Sequence, residues 1–510
     1  MLFNSYPFLL AFLPLTLIGF FALGRVSMRA AATWLGLASL VFYGWWDVRF
    51  LPILATSIIW NFASGVAIYQ ARAAQRTGLA RTILILAITA NLLALGYFKY
   101  VNFFLGIATS SMGQSFQPMD VILPLGISFF TFTQIAFLVD TARGEAREPD
   151  FINYVLFVTY FPHLIAGPLL HHKQMMPQFA NPAIYRPDLA NFAMGTAFFV
   201  MGLIKKCVFA DSFSPDAGPA FAAARAGEVG ALLAWKGSIA YALQLYFDFS
   251  GYVDMAIGIS LFFGIRLPLN FNSPYRATSI IDFWRRWHIT LSTFLRDYLY
   301  IPLGGGRHGA TRRYANLFIT MLLGGLWHGA SWTFVVWGAL HGSFLMANHA
   351  WRAFKPVALI TRVPWGLRIF VATALTFLAV VVAWVFFRAH DLPTALRMLR
   401  GMAGLNGAGV MPVPALSDID LFLMMAKANW LGPYANDVVL YVTGLLVVFF
   451  LPNSQQLVWG MMPVTDKASE LPVIPLRWSP HPAWAVLLAL GCGFCLMLFT
   501  GTSEFLYFQF

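Results

Sequence analysis

DFWRRWHITLSTFLRDYLYIPLGGGRHG (282–309) and NLFITMLLGGLWHGASWTFVVWGALHG (316–342) decide how this chain is read. The first stretch is crowded with Arg, Trp and His. The second is an apolar run in which His328 is the first Arg, Lys, His, Asp or Glu after Arg313. A titratable side chain at hydrocarbon depth is costly, and such residues mark functional sites by default. His328 is therefore the leading candidate for chemistry.

The surroundings of those stretches supply the hydrocarbon. Of 510 residues, 59% are hydrophobic and only 11% charged, and the mean hydropathy is +0.69. Soluble domains carry about 25% charged residues, so most of this surface does not face water. Apolar runs of spanning length recur from end to end, which predicts an all-α, polytopic membrane protein of about 11 to 13 membrane segments. A closed barrel needs alternating apolar and polar positions, which are missing. The expected organisation is one membrane-embedded domain over 1–510. It comprises N-terminal spans in 1–150, a core in 151–390 centred on 282–342, and C-terminal spans in 391–510. The net charge of +12 comes from short Arg/Lys clusters between apolar runs. That is the pattern of orientation signals, not of a nucleic-acid surface, and it leaves some cations available to an anionic ligand. Cys492 and Cys495 form a CxxC inside an apolar run and Cys207 stands apart. Helix packing explains them better than redox or zinc chemistry, which needs an electropositive site or further ligands.

Along the chain, MLFNSYPFLLAFLPLTLIGFFALGRVSMR reads as a retained first span, having no basic segment before it. Basic groups then follow alternate spans: Arg25 and Arg29; Arg72, Arg76 and Arg81; Arg143 and Arg147. The positive-inside rule places all three in the cytoplasm. Further spans are expected at 31–46, 50–70, 82–104, 119–140, 151–170, 191–210, 368–388, 437–452 and 482–500. An irregular loop is expected over Asp211–Gly230, and extramembrane links over 401–436 and 453–481.

Several constellations could carry chemistry. Asp248, Ser250 and Asp254 interrupt the apolar run 231–265, and Gly251 could break a helix between the acids. On a continuous helix the two acids lie about 120° apart. Each could pair with a neighbouring span or take a direct role. Arg285, Arg286 and Arg296 sit in a segment too charged to cross hydrocarbon and too aromatic for an ordinary loop. An interfacial or re-entrant amphipathic helix fits it. With Arg312 and Arg313, these arginines are candidates for phosphate contacts, against the plainer reading of snorkelling to headgroups. GGGRHG (304–309) lacks the strand and GK[ST] of a phosphate loop and reads as a turn. Around His328, Gly324, Gly325, Gly329 and Ala330 permit close approach by a helix or ligand. A neutral imidazole there can act as a general base, or be satisfied by a helix–helix hydrogen bond. His341, thirteen residues on, is about 20 Å away along a straight helix and can join His328 only if the helix breaks. His163, His171 and His172 lack zinc spacing, and no metal site is expected.

The run YFDFSGYVDMAIGISLFFGIRLPLNFNSPYRATSIIDFWRRWHITLSTFLRDYLYIPLGG, then GGLWHGASWTFVVWGALHG, resembles the membrane-bound O-acyltransferase family in its bacterial alginate O-acetyltransferase-like branch. LPLGISFFTFTQIAFLVDTARGE (123–145), FPHLIAGPLL (161–170), the opening MLFNSYPFLL and the closing FLYFQF share the resemblance. It implies a helical ring around a central tunnel, with His328 of the WHG motif as the invariant histidine. His288 of RRWHITLS falls on the second site position. Trp327 and the polar residues above would then line the tunnel or bind the donor. The resemblance further implies acetyl-CoA as donor, with no permanently bound cofactor. It also implies a bacterial inner-membrane location, a periplasmic hydrolase-like partner, and an exported polysaccharide such as alginate as final acceptor. His171 and His172 stand where the family often has an arginine shortly after AGPL. A polysaccharide exporter without covalent chemistry, or a scaffold, are the competing readings. A carrier should show inverted repeats, and none is evident; a scaffold leaves the isolated His328 unexplained.

Overall fold

The computed structural model describes residues 1–147, 150–354, 364–409, 433–458, 478–499 and 505–506, and all regular structure among them is helical. Val48–Ala73, Thr77–Ser111, Leu189–Ala226 and Trp365–Arg388 are long and apolar enough to cross a membrane; Phe8–Gly24, Asn436–Phe450 and Pro482–Met497 are shorter apolar helices. The all-α expectation holds. The chain forms two compact units, Met1–Phe199 with Met255–Pro268, and Val200–Asp254 with Leu269–Phe510. Much of the expected links 401–436 and 453–481, and most of the closing FLYFQF, lie outside the described residues.

In the first unit, Met28–Gly44 starts where the Ser27 hydroxyl accepts from the Ala30 amide (3.4 Å), and it buries Ala31, Leu35, Ala38, Phe42 and others at helical spacing. Phe42 joins Phe3, Phe8, Phe12 and Phe161 in one aromatic cluster. Leu51–Ala73 and Thr77–Leu95 are tied by a reciprocal amide pair between Asn61 and Asn91 (3.0 and 2.7 Å). Buried amides that satisfy each other in this way avoid the desolvation penalty of a lone polar group. The three basic loops share one end of this unit. Arg29 pairs with Asp150 (3.8 Å), the Arg147 guanidinium lies 4.7 Å from the Tyr69 ring centroid, and Arg72 donates to the Ala142 carbonyl. That is the arrangement alternate basic loops require. His163 Nε2 lies 3.0 Å from the Phe157 carbonyl.

Two local expectations are corrected. Asp211–Gly230 is not an irregular loop: Asp211–Ala226 is a helix with Pro215 and Pro219 inside it. Six alanines favour helix strongly, and Phe213, Ala217, Ala220, Phe221 and Ala224 form one buried stripe. Gly251 does not break the helix at 248–254 either, because Ala231–Phe262 is continuous. A Cβ at Gly251 would meet the Gly202 carbonyl at 2.9 Å, so this glycine permits close helix approach.

Candidate active site

The second unit builds the site from two local devices. The first is the turn that carries His288. The expected single helix over 282–301 is instead broken into Ile280–Trp284, Ile289–Leu295 and the wide turn Arg296–Tyr300. His288 sits at the break in left-handed conformation (φ 44°, ψ 55°). A non-glycine residue pays strain there, so surrounding contacts must hold it. They come from the segment 270–273. The Ile289 amide donates to the Asn270 carbonyl (2.9 Å) and the Asn272 amide to the Arg286 carbonyl (2.9 Å). His288 itself is fully buried, edge-on to Phe249 at 4.9 Å between ring centroids.

The second device is a helical hairpin. Gly309–His328 ends on His328, the chain reverses through the extended Gly329, and Trp332–Phe354 runs back against it. Close approach is built in: a Cβ on Gly338 would meet Leu322 Cα at 3.1 Å. The His328 ring is walled by Trp327 (4.9 Å), Trp337 (5.1 Å) and Phe387 (5.0 Å) and keeps 6% of its surface exposed. Trp327 also lies 6.3 Å from His288, so one indole borders both candidate histidines. The helix break that His341 requires is present, at Gly329–Ser331. His341 packs on Trp337 (4.7 Å) and accepts a hydrogen bond from Trp284 Nε1 (3.2 Å). Trp337 is thus a wall shared by His328 and His341.

The other candidates lie as follows. Asp248 pairs with Lys206 (2.7 Å) and Asp254 with Lys205 (2.6 Å), their carboxylates turned to different lysines as the 120° offset demands. Lys206 also pairs with Asp211 (2.9 Å), and Ser454 donates to Asp254. Ser250 is buried on the same helix. The acids therefore meet neighbouring helices, and Asp248 precedes the Phe249 that abuts His288. Arg286 is buried against Asp282 (2.9 Å), Arg296 pairs with Asp297 (2.6 Å), and Arg313 lies over the Tyr314 ring. Arg285 and Arg312 are exposed. Among the described residues no group of three or more His, Cys, Asp or Glu could hold a metal ion.

Sequence reasoning did not single out Asn270, Trp337, Phe387, Lys205 or Lys206. The amides of LPLNFNSPY were a usable signal, since polar residues amid apolar ones need a stated partner. The rings and lysines carried none, because their roles depend on what lies opposite.

A buried histidine pair walled by aromatic rings, on an all-helical scaffold with helices long enough to span, defines a multi-pass membrane protein. The profile of the membrane-bound O-acyltransferase family, MBOAT, matches residues 40–388. The chain belongs to that family and is an O-acyltransferase. It is 39% identical to a peptidoglycan O-acetyltransferase of Helicobacter pylori, covering all of this chain and 98% of that protein. It is 40% identical to a probable alginate O-acetylase AlgI of Pseudomonas putida, over the full length of both. A teichoic acid D-alanyltransferase of Streptococcus thermophilus is 28% identical over 48% of this chain and 61% of its own length.

Proposed function

We propose that this protein O-acetylates an exported polysaccharide from a cytoplasmic acetyl donor, acetyl-CoA, acting with a periplasmic hydrolase-like partner at the bacterial inner membrane. The full-length similarity to two polysaccharide O-acetylating enzymes supports acetyl as the group and a glycan as its destination. The observation that carries the mechanism is His328, a buried imidazole within an aromatic wall at the end of an apolar helix.

His328 takes the proton of the acceptor hydroxyl as its oxygen attacks the thioester carbonyl carbon. The C–S bond breaks, the acetyl group stays on the oxygen, and the proton passes from His328 to the leaving thiolate. A positioned base contributes about 10²–10⁴-fold, and burial within the aromatic wall strengthens each polar contact made there. Arg285 and Arg312, both exposed, are available to the donor's phosphates.

The test is transfer of labelled acetyl from acetyl-CoA by the purified protein in proteoliposomes, with its partner and glycan acceptor, compared with His328→Ala. Loss of transfer in a variant that inserts and elutes normally is expected. Undiminished transfer removes His328 from the mechanism.

A further inference from the structure

A recess in the first unit holds none of the residues assigned to acyl transfer. Val48–Ala73 walls it through Ile53, Thr56 and Trp60, and Thr77–Ser111 through Ala90, Ala94 and Phe98. Ile127, Phe130 and Thr131, at the start of Ile127–Arg143, make its floor. The space is about 410 Å³, the size of a small-ligand pocket. The reciprocal pair Asn61–Asn91 pins the two wall helices together at its inner end. Ala90 and Ala94, about one helical turn apart, present only methyl groups there and leave the gap unfilled.

The lining decides what the recess can hold. None of its described residues is charged. Asn91 donates to Asn61 (2.7 Å) and to the Ala87 carbonyl (2.8 Å), and Ser57 accepts from Gln134 (2.9 Å), so these two polar side chains already have partners. What remains is mostly apolar wall, which stays dry and takes apolar molecules. Left empty, it would forfeit dispersion contacts all round. The rim residues Thr56, Trp60 and Ala94 are exposed, on helices that also present Ile59, Leu92 and Leu93 to the outside. The mouth therefore opens where helices of spanning length face hydrocarbon. A neighbouring helix, about 10–12 Å across, could cover that mouth, but only its side chains would enter.

All three helices agree on its depth. Arg72, Arg81 and Arg143 lie toward one end of them, and the recess occupies the other, at residues 52–60, 90–98 and 127–131. Pro52, Phe98 and Ile127 form its outer level. Trp60, Ala90 and Thr131 form the inner one, about 12 Å deeper by helix rise from Pro52 to Trp60. Just outside Pro52 come the exposed Trp45 and Trp46 and the ion pair of Arg49 with Asp47 (2.7 Å), residues that suit the headgroup level. We propose that this recess binds one acyl chain of a membrane phospholipid, which enters from the leaflet opposite the three basic loops. Its headgroup lies level with residues 45–49. A chain reaching down from there meets Pro52 and Phe98 first, and Trp60 and Thr131 last.

The experiment uses the full-length protein in nanodiscs of phosphatidylethanolamine and phosphatidylglycerol. A tracer phospholipid carries a photoreactive diazirine on one acyl chain, either near the carboxyl end or near the methyl end. After irradiation, adducts are mapped by peptide mass spectrometry. Adducts on the buried Ile127, Phe130 and Thr131 are expected, besides those on Ile59 and Leu93, which any bilayer lipid reaches. Adducts confined to exposed residues mean annular lipid only and overturn the proposal. The carboxyl-end label should mark Pro52 and Phe98, and the methyl-end label Trp60 and Thr131; the reverse order overturns the leaflet. Ala90→Trp fills the recess and should abolish the floor adducts while keeping those on Ile59 and Leu93. Ala94→Phe serves the same purpose should the first variant not elute as folded protein. Floor adducts that persist in a folded filled variant overturn the site. Excess unlabelled phospholipid should displace the floor adducts, whereas displacement by free fatty acid alone overturns phospholipid as the occupant.

Discussion

Replacing Lys206 with Met tests whether the buried charges beneath the site are held by mutual pairing. The Lys206 and Asp248 side chains are only 2% and 1% exposed and meet at 2.7 Å, while Asp211, 14% exposed, meets the same ammonium at 2.9 Å. The second oxygen of Asp248 accepts the Leu506 amide (2.9 Å), and the ammonium lies 4.8 Å from the Phe505 ring centroid. Lys206→Met keeps most of the stem's volume but leaves two carboxylates facing one another. Breaking a buried pair from one side costs about 3–5 kcal/mol, whereas replacing both partners by apolar groups is close to neutral. At about 2 °C per kcal/mol for a unit this large, the single variant should unfold about 6–10 °C lower. Lys206→Met with Asp248→Leu should recover part of that, because Asp211 still loses the ammonium and the buried Leu506 amide loses its acceptor. The assay is tryptophan fluorescence on heating in detergent at one scan rate. A single variant as stable as the wild type, or a double variant less stable than the single, refutes the reasoning.

Two other outcomes follow from particular contacts. Gly338→Leu should abolish the folded, monodisperse protein by size-exclusion chromatography, because even a Cβ there meets backbone of the facing helix and backbone cannot step aside. Outside the spans, the Lys173 ammonium beside Glu145 holds that carboxyl below its usual value of 4.5. A depressed carboxyl contributes stability above its unfolded value and loses it as pH falls through the folded one. The thermal midpoint of Glu145→Gln should therefore lie slightly below the wild type at pH 7 and converge with it as pH falls from 4.5 through the depressed value. A gap that persists at pH 3 would assign the effect to something other than this charge pair.

Hydropathy, composition and the spacing of basic residues are additive along the chain, and what depends on them was legible without coordinates. Four helices of spanning length among the described residues follow from the length of apolar runs, whereas the expected span 151–170 is instead two short helices, Phe151–Thr159 and Phe161–Leu164. The shared end of the three basic loops follows from their alternation, and Arg29, Arg72 and Arg147 do converge through Asp150, Ala142 and Tyr69. His328 stood out because the cost of a titratable group in an apolar run is a local quantity. The same reasoning failed at Asp211–Ala226, where alanine propensity and a buried stripe outweighed two prolines, and at Gly251, where the lack of a side chain served a neighbouring backbone.

Partners were a different matter. That Asp248 and Asp254 must meet something was evident from their surroundings. That they meet Lys206 and Lys205, more than forty residues away, was decided by how two helices pack. His328 reached Trp337 only because the chain reverses at Gly329, and Asn270 reached His288 only because residues 270–273 lie along the 286–290 turn. Sequence by itself determined which groups are expensive to bury. Tertiary structure alone chose what each is buried against, since a hydrogen bond acts over about 3 Å and no local pattern specifies which atoms will come that close.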